Sequence, residues 1–122
     1  HDHGYQYHGY RLDELRRPTF FYQYGDVKVE DFVQAIEKEK GNAKFRRAFR
    51  FDASTAQDMF YFRAGSGRNI TQQSDGVYRI DGLTVTVLGG HKVITRKGDP
   101  GDLLISIKLP KGKSTLTLEY KW

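Results

Sequence analysis

The sequence predicts an α+β, β-rich domain on three observations. The first is period-two alternation in the last forty residues. Leu83, Val85 and Val87 share one side of their segment. Leu103, Ile105, Ile107 and Leu109 do the same, and so do Leu116, Leu118, Tyr120 and Trp122. Such alternation marks strands with one buried and one solvated face. The second is turn chemistry. Asp81-Gly82, Gly89-Gly90, Gly98-Asp99-Pro100-Gly101 and Lys111-Gly112 punctuate these segments. Asp-Gly and Gly-Gly between apolar runs tolerate the positive φ of a tight hairpin. The third is a helical stripe, with Val29, Phe32, Val33 and Ile36 at i, i+3, i+4 and i+7. The predicted architecture is a C-terminal antiparallel meander of about five strands. One amphipathic helix, a second small sheet, or both would cover its apolar face in a sandwich-like arrangement.

The elements follow in chain order. Residues 1–10 are His, Tyr, Gly, Gln and Asp with no apolar period, which predicts a flexible His/Tyr-rich tail. Residues 11–122 then form a single globular β-rich domain, long enough for its own core. Leu12 and Leu15 place a short helical turn over 11–17, stopped by Pro18. Residues 19–24 (TFFYQY) are β-formers closed by Gly25-Asp26. The helix runs over 29–40, with Glu30 and Asp31 at its start, Lys38 and Lys40 near its end, and Gly41 as its C-terminal stop. Residues 42–50 read either way: Phe45, Ala48 and Phe49 fit a helical stripe, while Phe49 and Phe51 alternate. Residues 54–57 fit a capping box for one short turn. A strand follows over 59–62, then a loop from Gly65-Ser66-Gly67 toward Ser74-Asp75-Gly76. Segments 77–80, 83–88, 91–96, 102–109 and 114–122 complete the meander.

Composition narrows function by exclusion. With no cysteine, disulfides, thiolate zinc sites and cysteine nucleophiles are ruled out. No stretch approaches the roughly 18 apolar residues of a membrane-spanning helix. A net charge of +5 favours contact with anionic surfaces. The Arg11/Arg16/Arg17 and Arg46/Arg47/Arg50 clusters read as solvated surface. Ser54, Ser66, Ser74, Ser106 and Ser114 lack a nucleophile-elbow setting. Three of the four histidines lie in the first ten residues, leaving His91 in the body.

Three features could hold a ligand. If His1 is the mature terminus, His1-Asp2-His3 can bind copper or nickel through the terminal amine, two amides and the His3 imidazole. His1 could instead chelate through its amine and ring, with His3, His8 or His91 completing the set. Exposed tyrosines on a sheet can stack on sugars or unpaired bases while their hydroxyls meet water, which singles out Tyr22, Tyr24 and Tyr61. Arg68, in the glycine-rich run 65–69, could contact an anion cradled by backbone N–H groups, although the lysine and Ser/Thr of a P-loop are missing. Segment 97–110 (KGDPGDLLISIKLP) resembles part of the C-terminal β-domains of J-domain co-chaperones. Neither a J-domain signature nor zinc-binding cysteines accompany it, so no family assignment follows.

The expected function is therefore a non-enzymatic binding or docking module for a protein or a glycan, within a larger secreted or periplasmic assembly. A cytoplasmic location stays compatible with the composition. The alternatives are a copper or nickel protein using His1 and His3, and a single-stranded nucleic-acid binder using the charge and the tyrosines.

Overall fold

The structure, a computed structural model, describes residues 5–37 and 43–122. Among the described residues there are eleven strands and no helix. They are β1 (Tyr5–Leu12), β2 (Pro18–Tyr24), β3 (Val27–Glu37), β4 (Ala43–Ala53), β5 (Gln57–Gly67), β6 (Ile70–Ser74), β7 (Val77–Ile80), β8 (Leu83–Val87), β9 (Lys92–Arg96), β10 (Gly101–Leu109) and β11 (Gly112–Lys121). They form an eight-stranded sheet in the order β1-β2-β3-β4-β11-β8-β7-β6 and a three-stranded sheet in the order β5-β10-β9. Every pairing is antiparallel.

The path explains this order. A meander β1–β4 builds one half of the large sheet. The chain leaves for β5, returns as β6–β8 to build the other half, and leaves again for the β9–β10 hairpin. β11 then inserts between β4 and β8 and joins the halves. Val27 and Val29, Phe49 and Phe51, Val85 and Val87, and Leu116 and Leu118 fill the inner face of the large sheet. Phe62, Leu103, Ile105 and Ile107 answer from the small one. Each large side chain buried this way contributes about 1.5–3 kcal/mol.

β5 runs across the strands of the large sheet rather than along them. Phe60 meets Tyr24 and Phe51, and Phe62 meets Phe49 and Phe51. Farther along, the Ala64 carbonyl accepts from the Tyr120 hydroxyl of β11 at 2.8 Å. At Gly65 and Gly67 the strand abuts Ile80 of β7. Crossing of this kind belongs to orthogonal sheet packing. Three strands cannot cover eight, so much of the inner face of β1, β2 and the outer ends of β3 and β4 lies beyond β5.

The α+β expectation is overturned, because the predicted helix over 29–40 is strand through Glu37; residues 38–42 lie outside the described ones. Val29, Phe32, Val33 and Ile36 fit a helical stripe, but the structure uses the alternate set Val27, Val29, Asp31, Val33 and Ala35, whose register partners on β4 run from Ala53 to Phe45. The single five-stranded meander is corrected as well. β7–β8 and β9–β10 are hairpins, but β8 and β9 lie in different sheets, as do β10 and β11. Gly89 and Gly90 do adopt positive φ, 97° and 68°, in a connection that changes sheet. The predicted tail is strand from Tyr5 onward, where β1 pairs with β2. Of the helical turn predicted over 11–17, Arg11 and Leu12 are instead the end of β1 and residues 13–17 are the β1–β2 connection. There the Asp13 carboxylate accepts from the Leu15 and Arg17 amides at 2.9 and 2.8 Å. The Gly65–Gly67 loop is the end of β5. No helix of the described residues is long and apolar enough to cross a membrane.

Candidate functional site

The uncovered part of the inner face is aromatic because the register makes it so. Tyr5 pairs with Tyr24, Tyr7 with Tyr22 and Tyr10 with Phe20, all on one side of β1 and β2. A β-bulge between Tyr7 and Gly9 keeps all three β1 tyrosines on that side despite their uneven spacing. Gly9 takes φ 99° there, a conformation glycine adopts freely. Tyr5, Tyr7, Tyr22 and Tyr24 form one cluster of touching rings, and Tyr10 and Phe20 a second. Centroids of Tyr5 and Tyr24 are 5.0 Å apart, those of Tyr7 and Tyr22 5.6 Å, and those of Tyr10 and Phe20 6.0 Å. Tyr24 also meets Phe60 edge-on at 6.1 Å, so the first cluster is continuous with the core. Tyr7 is 51% exposed and Tyr10 62%. Tyr22 and Tyr24 are half-buried. Burial, reinforced by the Asp31 charge, pushes the Tyr22 phenol above its usual pKa.

An ion pair marks where cover by β5 ends. Asp31, 1% exposed, accepts from Arg47 Nη2 at 2.6 Å and Nε at 3.2 Å. Arg47 Nη1 donates to the Tyr120 hydroxyl at 3.2 Å. The guanidinium lies 4.8 Å from the Phe49 ring centroid and 5.5 Å from that of Tyr120. Burial opposes the Arg47 charge, but the Asp31 hydrogen bonds and the surrounding groups outweigh it and drive its pKa upward. Burial also raises the Tyr120 phenol. The charge is thus fixed on the inner face, with part of its side chain still reaching solvent.

Compared with known proteins, the chain matches no family model, no curated protein and no solved structure. The reading of this face therefore rests on its own geometry.

The structure brings together two of the four ligand-binding candidates, Tyr22 and Tyr24. Tyr61 lies on the outer side of the small sheet, level with Ser106, with its hydroxyl 2.7 Å from Met59 Sδ. Arg68 stands at the β5–β6 connection, exposed, with Nε 3.5 Å from Asp99. His1 and His3 lie outside the described residues. His8, a candidate third ligand, sits on the outer face of β1 and contacts Gln23 at 3.2 Å; His91 is the last residue of the β8–β9 connection. Among the described residues no three His, Cys, Asp or Glu side chains gather as a metal set. Sequence reasoning missed Tyr5, Tyr7, Tyr10 and Arg47 as parts of one face. The available signal was Arg47 itself, a cation in the register of Phe45, Phe49 and Phe51.

Proposed function

We propose that this chain is a non-enzymatic docking module that holds a protein partner against the open part of its inner face, within a larger secreted or periplasmic assembly. The cluster of touching rings Tyr5, Tyr7, Tyr22 and Tyr24, with the Tyr10–Phe20 pair on the same side of β1 and β2, extends the core beyond the cover of the small sheet and carries this reading. Tyrosine and arginine are the residues that dominate binding energy at protein interfaces, and Arg47 sits beside these rings. The rings are tilted by 46° in the Tyr5–Tyr24 and Tyr7–Tyr22 pairs, so they offer no flat platform for a sugar. A partner's side chains can fill such an uneven surface, which favours a protein over a glycan here.

Site-specific photo-crosslinking tests the reading. A photoreactive residue at Tyr7 or Tyr10, in protein produced in its own host, is expected to capture a discrete protein, whereas the same residue at Met59 on the small sheet captures none. No adduct at either tyrosine, or equal capture at Met59, refutes the proposal.

A further inference from the structure

The opposite face of the large sheet has a different chemistry. Register places Lys28 of β3, Asp52 of β4 and Lys113 of β11 in one row across three adjacent strands, all exposed. The lysines therefore stand about 10 Å apart, with the carboxylate between them. Neither makes an ion pair among the described residues. The next row carries Glu30 and Arg50, loosely paired at 3.8 Å. These two side chains are shared by two adjoining grooves, of about 620 and 450 Å³, which open along the outer face from β1 to β11. The outer faces of β1, β3, β4, β7 and β11 carry Arg11, Lys28, Lys44, Arg46, Arg50, Arg79, Lys113 and Lys121 against Glu30, Asp52 and Glu119. That excess of positive charge calls for an anionic ligand.

We infer that these grooves bind an acidic polysaccharide, a hydroxyl-rich chain with spaced carboxylate or sulfate groups. Charge complementarity selects the anion, and the other groove residues select its type. Asp52 and Glu30 oppose a chain that offers only anions, but they accept hydrogen bonds from the hydroxyls that a sugar carries beside its carboxylate. Gln23, Thr19, Thr115 and Thr117 add neutral donors and acceptors. The two aromatic rings of this surface are occupied: Arg11 lies 5.4 Å from the Phe21 ring centroid and Arg17 5.2 Å from that of Phe32. They are not free to stack on bases, as single-stranded nucleic-acid sites require. This site lies on the opposite face from the proposed docking row and stands independently of it.

Binding of polygalacturonate, poly(dT) and poly-L-glutamate to the full chain, at matched salt, tests the inference. Polygalacturonate is expected to bind tightest. Lys28→Gln with Lys113→Gln is expected to weaken it about tenfold. Lys92→Gln with Lys108→Gln removes the same charge from the small sheet and is expected to change it less than about twofold. The deciding variant is Asp52→Ala: it should weaken polygalacturonate binding while strengthening that of poly-L-glutamate, because sugar hydroxyls donate to the lost carboxylate whereas glutamate side chains are only repelled by it. Thermal melts confirm that each variant is folded. The inference is overturned by no binding, by poly(dT) binding as tightly, by equal losses in the two lysine pairs, or by Asp52→Ala strengthening all three ligands.

Discussion

Asp31 and Arg47 break the apolar register of adjacent strands, and each is the other's partner. Between them they satisfy a carboxylate that is almost wholly removed from water. Removing one side of such a pair strands the other, at a cost of about 3–5 kcal/mol, whereas replacing both with apolar groups is often neutral. Arg47→Met alone is therefore expected to cost about that much in urea unfolding, and Asp31→Val with Arg47→Met to recover most of it. A single-variant loss below about 1 kcal/mol, the scale of an exposed pair, shows that the carboxylate is hydrated instead. On the outer face, Glu119 carries a separate charge network. Hydrogen bonding from Lys44 first, then from Arg46, holds its carboxyl below its usual pKa of 4.5, against the effect of burial. A carboxyl whose folded pKa is depressed adds stability that is fully present above the unfolded value and lost as pH falls through the folded one. Stability is thus expected to fall below about pH 4.5, and Glu119→Gln to flatten that part of the profile. Denaturant midpoints across pH 2–7 check this, with an unchanged acid limb in the variant as the contrary result.

The strands differ in how plainly the sequence announces them, and the reasons are local. β8 and β10 alternate cleanly because their inner positions are apolar, as are those of β11 from Leu116 onward, and β7 is joined to β8 by the Asp81-Gly82 turn as expected. β3 hides because Asp31 occupies an inner position, while Phe32 and Ile36 on the outer side complete a false helical stripe. Its justification, Arg47, lies sixteen residues away, beyond any window of local periodicity. β1 hides because its bulge changes the spacing from Tyr5-Tyr7 to Tyr7-Tyr10. The glycines of β5 mislead in another way, since they look like loop residues but mark a close approach of the two sheets. A Cβ at Gly65 would stand 2.8 Å from Ile80 Cδ1, and one at Gly67 only 2.6 Å from Ile80 Cγ2 and Asp81 Oδ2. Gly65→Val is expected to cost about 1–3 kcal/mol by overpacking, and Ile80→Ala to recover part of it in a double-mutant cycle. Independent, additive losses show that the sheets do not meet there. The candidate face was legible only in part: Tyr22 and Tyr24 stand out within TFFYQY, but their union with β1 depends on pairing register, which no single segment encodes.

In the whole molecule the two sheets are unequal, and stability should be graded accordingly. β4 and β11 sit mid-sheet with a neighbour on each side, and their inner residues Phe49, Phe51, Leu116 and Leu118 are almost fully buried. β1 is an edge strand that pairs with β2 alone, and its side chains are mostly exposed. Local opening needs least free energy where few apolar contacts must break. Amides of β1 are therefore expected to exchange at least about a hundredfold faster than those of β4 and β11 in the isolated chain. A partner seated on the tyrosine row would bury the inner face of β1 and β2, so its binding should slow exchange in those strands and leave β6, at the opposite edge, unchanged. The same experiment exposes the alternative. If β1 is as protected as β4 with no partner present, the open part of the face is already covered in solution. A dilution series then tells whether a second copy covers it, since protection by a second copy falls with concentration and intramolecular protection does not. If exchange in β1 and β6 slows equally when a partner is added, the partner stabilises the fold as a whole and does not sit on the tyrosines.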